Sequence, residues 1–497
     1  MMMHRLPTLL LISMLVMGIW GCKKSDGPTP SEDPQDEETL LRDSTYFYSI
    51  LFSLWTNQLP QPEGRGDDLD LQAYTGKFKD AEEVLVDLRK YANEDRFSFV
   101  DRAGKVSEEI QEGVYEETGV IPIYLSSDGS DNGDLYIKLV QRGSPAERAG
   151  LKRGMRVLSL NGDTQLDYLT DQQQSLRNFY AFFSGETLEL VVQQPGAETT
   201  ETITVTGSAY YLNPVLDARV IDLDGHKVGY FAYTSFLNVW DSHGNPNAYH
   251  EYLLALFRDF EKQQIDELVV DLRYNGGGAT NAAELMASLI VPVANGQDRM
   301  YTYKVNQYLE EAGFTDVSKS GAPFVPVHFQ KPNALDLSRV YFLATQSSAS
   351  ASELVINVLE PYMDVELITT NRQGTFGKPV GFFGYPVVNG YADLYITSFQ
   401  MLNSAGFGDY FSGLMGQKND AQDGFLQQLG DPDESMLAEA LHHIQQGSYR
   451  TYNGAKSSNR STLRNTLRGI RTPETHPHRN NMYRFGGDVA PNLSKSR

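Results

Sequence analysis

A chain of 497 residues exceeds one ordinary domain, and 40% hydrophobic with 11% aromatic content is enough for sizeable cores, so two or three domains are expected. The net charge of −22 repels nucleic acid and anionic membranes, which argues against DNA or RNA as a partner. Cys22 is the only cysteine, which excludes an intramolecular disulfide framework and any multi-cysteine zinc site.

The first residues, MMMHRLPTLLLISMLVMGIWGC, set His4 and Arg5 ahead of an apolar run with small Gly21 just before the cysteine. This reads as a secretory signal over residues 1–21, too short and wrongly flanked for a membrane span. The end of the run resembles a bacterial lipobox, which implies cleavage before Cys22 and its lipidation. Residues 22–37 are rich in proline and acids and cannot bury enough surface to fold, so they read as a disordered tether. The expected protein is lipid-anchored in a bacterial cell envelope, facing the periplasm or the outer membrane.

Residues 38–105 are amphipathic at helical spacing, first up to Trp55 and Leu59 and again in DAEEVLVDLRKYA, and predict a helical N-terminal region. Residues 106–207 alternate in short segments, DLYIKLV, RVLSLNG, TLELVVQQ and ETITVTG, between glycine turns. The string GSPAERAGLKRGMRVLSLNGD resembles the core of a PDZ domain. That resemblance implies capture of a polypeptide end by strand addition, with its carboxylate on the loop Thr118, Gly119 and Val120. Pro122 has no N–H to donate where the receiving strand should run.

Over residues 208–445 the pattern is mixed α/β. KVGYFAYTSF reads as a strand, NAYHEYLLALFRDFEKQQ as a helix, and IDELVVDLR as a buried strand that ends in YNGGG before the helix TNAAELMASLIV. RVYFLAT is a strand leading into SSASASELVINVLEP, which gathers Ser347, Ser348, Ser350 and Ser352 at a helix start. One reading is a capping box of Ser350 with Glu353. The other is a nucleophile among unpaired amides, at the carboxyl end of a sheet strand.

A serine nucleophile needs a base. There is no Gly-x-Ser-x-Gly elbow and no His-Glu-x-x-His, and His226, His243, His250 and His328 sit in no motif. Lys378, in the turn GTFGK after the strand VELITT, is either a solvated surface lysine or a base whose proton affinity is lowered by burial against Phe376 or Phe382.

The order of helical region, PDZ-like domain, DLRYNGGG, SASASE and GTFGK resembles the carboxyl-terminal processing peptidases, or tail-specific proteases, over roughly residues 40–445. The resemblance implies a multidomain α+β protein whose α/β catalytic domain is of the crotonase/ClpP-like kind. It implies a Ser-Lys dyad with Ser350 as nucleophile and Lys378 as base. Gly276 or Gly277 would donate to the oxyanion alongside the amide of Ser350. Many members carry a glutamine four residues after the lysine, where this chain has Phe382. No metal or cofactor is implied, and the partners would be polypeptide substrates. Two other readings use the same residues: a degenerate member that binds peptides or partners without cleaving them, and an envelope scaffold that binds glycans. Residues 446–497 hold ten Lys or Arg against two acids and few apolar groups, and are expected to be a disordered basic tail.

Overall fold

The computed structural model describes residues 34–64, 69–450, 467–470, 472 and 476–484. Cys22, the signal segment and most of the tether lie outside the described residues, as do residues 451–466 and 485–497 of the basic segment. Among the described residues no helix is long and apolar enough to cross a membrane.

The helices are α1 (Pro34–Phe52), α2 (Gln72–Thr75), α3 (Ala81–Leu88), α4 (Pro145–Arg148), α5 (Tyr168–Gln173), α6 (Arg177–Ala181), α7 (Ala248–Gln263), α8 (Thr280–Ile290), α9 (Gln307–Glu311), α10 (Ala351–Leu359) and α11 (Ser435–Gln446). Helix α1 begins at Pro34, inside the stretch expected as tether, because proline at a first helical turn loses no hydrogen bond. The starts of α3 and α7 carry side-chain caps: Asp80 accepts from Glu83 N–H, and Asn247 from the N–H groups of Tyr249 and His250.

Strands β1 (Phe99–Asp101) to β8 follow as β2 (Val114–Glu117), β3 (Val120–Ser126), β4 (Asp134–Val140), β5 (Arg156–Leu160), β6 (Thr187–Gln193), β7 (Thr200–Thr206) and β8 (Ser208–Tyr211). Next come β9 (Val215–Leu223), β10 (His226–Tyr233), β11 (Glu267–Asp271), β12 (Gly278–Ala279), β13 (Arg299–Val305), β14 (Val327–His328), β15 (Arg339–Ala344), β16 (Asp364–Thr369), β17 (Val380–Val387) and β18 (Ala392–Asn403). The basic segment adds β19 (Arg468–Ile470) and β20 (Met482–Tyr483).

One sheet runs in the order β16-β15-β11-β10-β9, parallel except for the β9 edge. Its central strand β11 is buried along its whole length, the burial that its apolar run requires. A second sheet has the order β12-β20-β17-β18-β13-β14, with β1 also paired to β18. The third sheet has the order β19-β3-β4-β5-β6-β7 around its own core of Val120, Tyr124, Leu188, Leu190 and Phe179.

Two expectations are corrected. The region before residue 105 shares the core of the α/β region instead of forming a helical unit of its own: Leu41, Phe52, Leu85 and Phe97 belong to the same apolar cluster as α8 and α10, and Phe99–Asp101 is a strand on β18. The segment expected as a disordered tail is ordered at two places. Residues 468–470 join β3, and residues 482–483 insert between β12 and β17, because open sheet edges supply the hydrogen bonds that its few apolar groups do not.

Candidate active site

Strands β11 and β15 are parallel neighbours, so their carboxyl ends deliver the glycine turn and the serine turn side by side. The four serines then separate by what they touch. Ser347 is exposed. Ser348 is buried, and its hydroxyl donates to Leu272 O at 2.7 Å, tying the turn to the end of β11. Ser352 Oγ donates to Asn275 O at 2.9 Å. Ser350 Oγ is buried and has no hydrogen-bond partner among the described residues.

The backbone explains that difference. An ordinary N-cap residue is extended, whereas Ser350 has φ 62° and ψ −110°, a sparsely populated conformation that costs about 1–3 kcal/mol and is found at functional sites. Of the capping box predicted from the sequence, the half that holds the loop is the Glu353 carboxylate, which accepts from Ser350 N–H at 2.8 Å.

Glu353 does more than cap. It is fully buried, and its two oxygens take four donors: Ser350 N–H and Lys378 N–H, both at 2.8 Å, Gly377 N–H at 2.7 Å, and the Thr375 hydroxyl. One carboxylate therefore clamps the serine turn to the lysine turn. Burial pushes its pKa up, against the lowering effect of those four hydrogen bonds. The sequence reading saw Glu353 only as a capping partner, since a spacing of three residues carries no sign of the donors that arrive from 375–378.

Lys378 is buried, on the turn between β16 and β17. Its ammonium nitrogen lies 4.3 Å from the centroid of the Phe97 ring and 5.3 Å from that of Phe382. Phe382 thus stands beside the lysine as an aromatic wall, and Phe97 brings the N-terminal region into the site. Gly377 permits the turn: it has φ 92°, and a Cβ there would come within 2.4 Å of Phe411 O.

The glycine turn lies against Ser350. Gly277 has φ 125°, and a Cβ there would sit 3.0 Å from the Ser350 Cβ and 2.4 Å from Asn481 O. Its N–H donates to Asn275 Oδ1 at 2.9 Å, and Asn275 O accepts from Ala349 N–H at 3.1 Å, so Asn275 buckles the two turns together. The amides expected to meet an oxyanion are therefore not equivalent. Those of Gly277 and Ser350 are engaged, while that of Gly276 makes no hydrogen bond among the described residues; the amide of Ala351, which the sequence does not single out, makes none there either.

Behind the site, Arg273 at the end of β11 is buried among three carboxylates, 2.8 Å from Asp271, 2.7 Å from Glu434 and 3.1 Å from Asp423. Arg153, in the turn between α4 and β5, reaches the same Asp423 at 2.9 Å. Burial raises the Asp423 carboxyl, but the guanidinium groups of Arg153 and Arg273 outweigh it and hold the group below the usual carboxylate range. This network joins the glycine turn to the β-rich region, and its members lie too far apart in sequence to be read as one motif.

The residues Thr118, Gly119 and Val120 form the buried turn from β2 into β3. Val120 N–H donates to Thr118 Oγ1 at 3.3 Å, and Thr118 O accepts from Ala146 N–H at 3.0 Å. No hydrogen bond joins this turn to Ser350 or Lys378 among those described. Among the described residues no group of three or more His, Cys, Asp or Glu is placed to hold a metal ion.

The Peptidase family S41 model matches residues 227–407, the stretch that carries all three turns. The chain is 28% identical over 156 residues to the carboxy-terminal processing protease CtpB of Bacillus subtilis, covering 31% of this chain and 30% of that one. It is 27% identical over 264 residues to the carboxyl-terminal-processing peptidase 3, chloroplastic, of Arabidopsis thaliana, covering 52% and 45%. The matched stretches thus span less than half of these relatives. A solved structure, a putative S41 protease from Bacteroides fragilis, shares the fold with a TM-score of 0.60 at 23% identity, covering 82% of this chain and 97% of its own. Residues 227–407 are a Peptidase family S41 domain.

Proposed function

We propose that the protein is a serine endopeptidase that processes polypeptides by a Ser350–Lys378 dyad. The observation that carries this reading is the buried, unbonded hydroxyl of Ser350 on a strained helix start, clamped through Glu353 to the turn that bears Lys378. Ser350 Oγ attacks the scissile carbonyl and passes its proton to Lys378 Nζ. The amides of Gly276 and Ala351 receive the oxyanion, and Lys378 then gives the proton to the departing amine. Water, deprotonated by the same lysine, releases the acyl group and restores Ser350. Lys378 carries out this exchange from a buried position against the ring faces of Phe97 and Phe382.

The β-rich region, read as a PDZ-like domain, would present polypeptide ends to this site along β3. The signal segment and Cys22 support a lipid-anchored protein of the cell envelope. One observation favours the competing reading of a silent binding protein: Ser350 Oγ is not hydrogen-bonded to Lys378. Catalytic hydrogen bonds are often loose without substrate and tighten in the Michaelis complex. The deciding experiment is turnover of an unstructured protein by the purified chain. Activity that Ser350→Ala abolishes supports the dyad; equal activity in that variant, or none in the wild type, rejects it.

A further inference from the structure

Strand β3 leaves the Thr118–Val120 turn with two edges. One pairs with β4, and the other is taken by β19, antiparallel, with Arg468 opposite Ser126, Gly469 opposite Leu125 and Ile470 opposite Tyr124. A strand in that register advances towards the turn as it proceeds to its carboxyl side. This is the course of an extended polypeptide that adds to an open sheet edge.

The three residues fit the edge by chemistry. Ile470 packs on the apolar cluster that includes Tyr124, Leu135 and Phe179. The Arg468 guanidinium donates to Ser130 O at 3.0 Å and to the Asp131 carboxylate at 3.1 Å. Any Cβ at position 469 would press on Ile123 Cδ1 at 3.2 Å. The ladder stops short of Pro122, which has no N–H and sits at an irregularity of β3.

Beyond β19 the same segment reaches the catalytic side. Half-buried Arg479 lies between the buried carboxylates of Glu109 at 2.6 Å and Glu117 at 3.1 Å, the latter adjacent to Thr118 in the chain. Asn481 O then accepts from Gly278 N–H at 2.7 Å, next to the glycine turn. The second half is thus anchored by ion pairs to two buried carboxylates, whereas β19 is a three-residue strand whose Arg468 and Gly469 are exposed. Short, exposed strands open at the low end of the stability range, so β19 can leave while β20 stays.

We propose that the edge of β3 away from β4 docks an extended polypeptide with a basic residue, a small residue and then an aliphatic residue, and that residues 468–470 are its resident occupant, which an incoming chain must displace. As a tethered ligand, β19 acts at an effective concentration of order millimolar. That the incoming chain is a substrate rests on the peptidase reading above.

The test titrates a fluorescein-labelled peptide of residues 464–472, RNTLRGIRT, into the full chain and into its Ile470→Asp variant. The variant should bind the peptide at least about tenfold more tightly than the wild type, because its own occupant no longer competes. A peptide carrying aspartate at the isoleucine position should bind neither. Amide hydrogen exchange supplies a second readout: β3 should lose protection in Ile470→Asp and regain it with the peptide. Equal affinity for both chains, no binding to the variant, or unchanged protection overturns the proposal. Both readouts are independent of turnover, so an inactive chain that passes them sinks the peptidase reading alone, and an active chain that fails them sinks this one.

Discussion

Replacing Glu353 by glutamine isolates what the clamp does. The carboxylate serves four donors on two oxygens, three of them backbone amides at 2.7–2.8 Å. Glutamine keeps one carbonyl oxygen and turns the other into an NH2 group with nothing to accept with, so two donors lose their partner whichever way the amide points. At about 1.5–3 kcal/mol for each hydrogen bond to a charged group, the gross loss is about 3–6 kcal/mol. The neutral amide escapes the desolvation that pushes the carboxyl pKa up, which brings the net cost to about 2–4 kcal/mol. The catalytic cost should be larger in proportion, because the turns bearing Ser350 and Lys378 lose their common acceptor, and a misplacement of about 1 Å costs about 100-fold. Urea denaturation measures the first effect and kcat/KM on an unstructured protein the second. A Glu353→Gln chain with wild-type midpoint and wild-type kcat/KM would refute the clamp.

Because Ser350 Oγ has no hydrogen-bond partner, Ser350→Ala should abolish hydrolysis yet leave stability within about 0.5 kcal/mol, without the penalty of a lost cap. Ser350→Gly should raise the unfolding free energy by about 1 kcal/mol by relieving the positive φ, and calorimetry on the two inactive variants checks both statements. Lys378→Ala should be as inactive as Ser350→Ala and the double variant no worse, since the pair acts as one unit. In the wild type kcat/KM should rise with pH as the base loses its proton, and a flat profile contradicts the dyad. Arg273→Met removes the cation from buried Asp271 and Glu434, leaving Asp423 to Arg153 alone, and should cost about 3–5 kcal/mol in a denaturant melt. The depressed Asp423 carboxyl contributes stability that is full above its unfolded pKa, about 3.9, and is lost as pH falls through its lower folded value. Asp423→Asn should therefore flatten the acid limb of the stability curve, and an unchanged limb argues against the network. Cys22→Ser should move the protein from the membrane fraction to the soluble one, with unchanged fractionation rejecting the lipid anchor.

The sequence by itself determined the elements whose physics is local. The alternation of DLYIKLV gives β4, the apolar run of DELVVD gives β11, and the caps Asp80 and Asn247 start α3 and α7. It also singled out the serine, lysine and glycine turns, because small and glycine-rich stretches between such elements are visible without a fold. Only the tertiary structure decided which serine is left unbonded, that Gly277 and Ser350 have spent their amides while Gly276 and Ala351 have not, and that Glu353 serves two turns. The same holds for the basic segment, whose composition reads as disorder. Gly278 meets Met482, Tyr124 meets Ile470, and Arg479 meets Glu109 and Glu117 across more than two hundred residues. Those partners are sheet edges and buried carboxylates created by folding, so nothing in the segment's own pattern announces them.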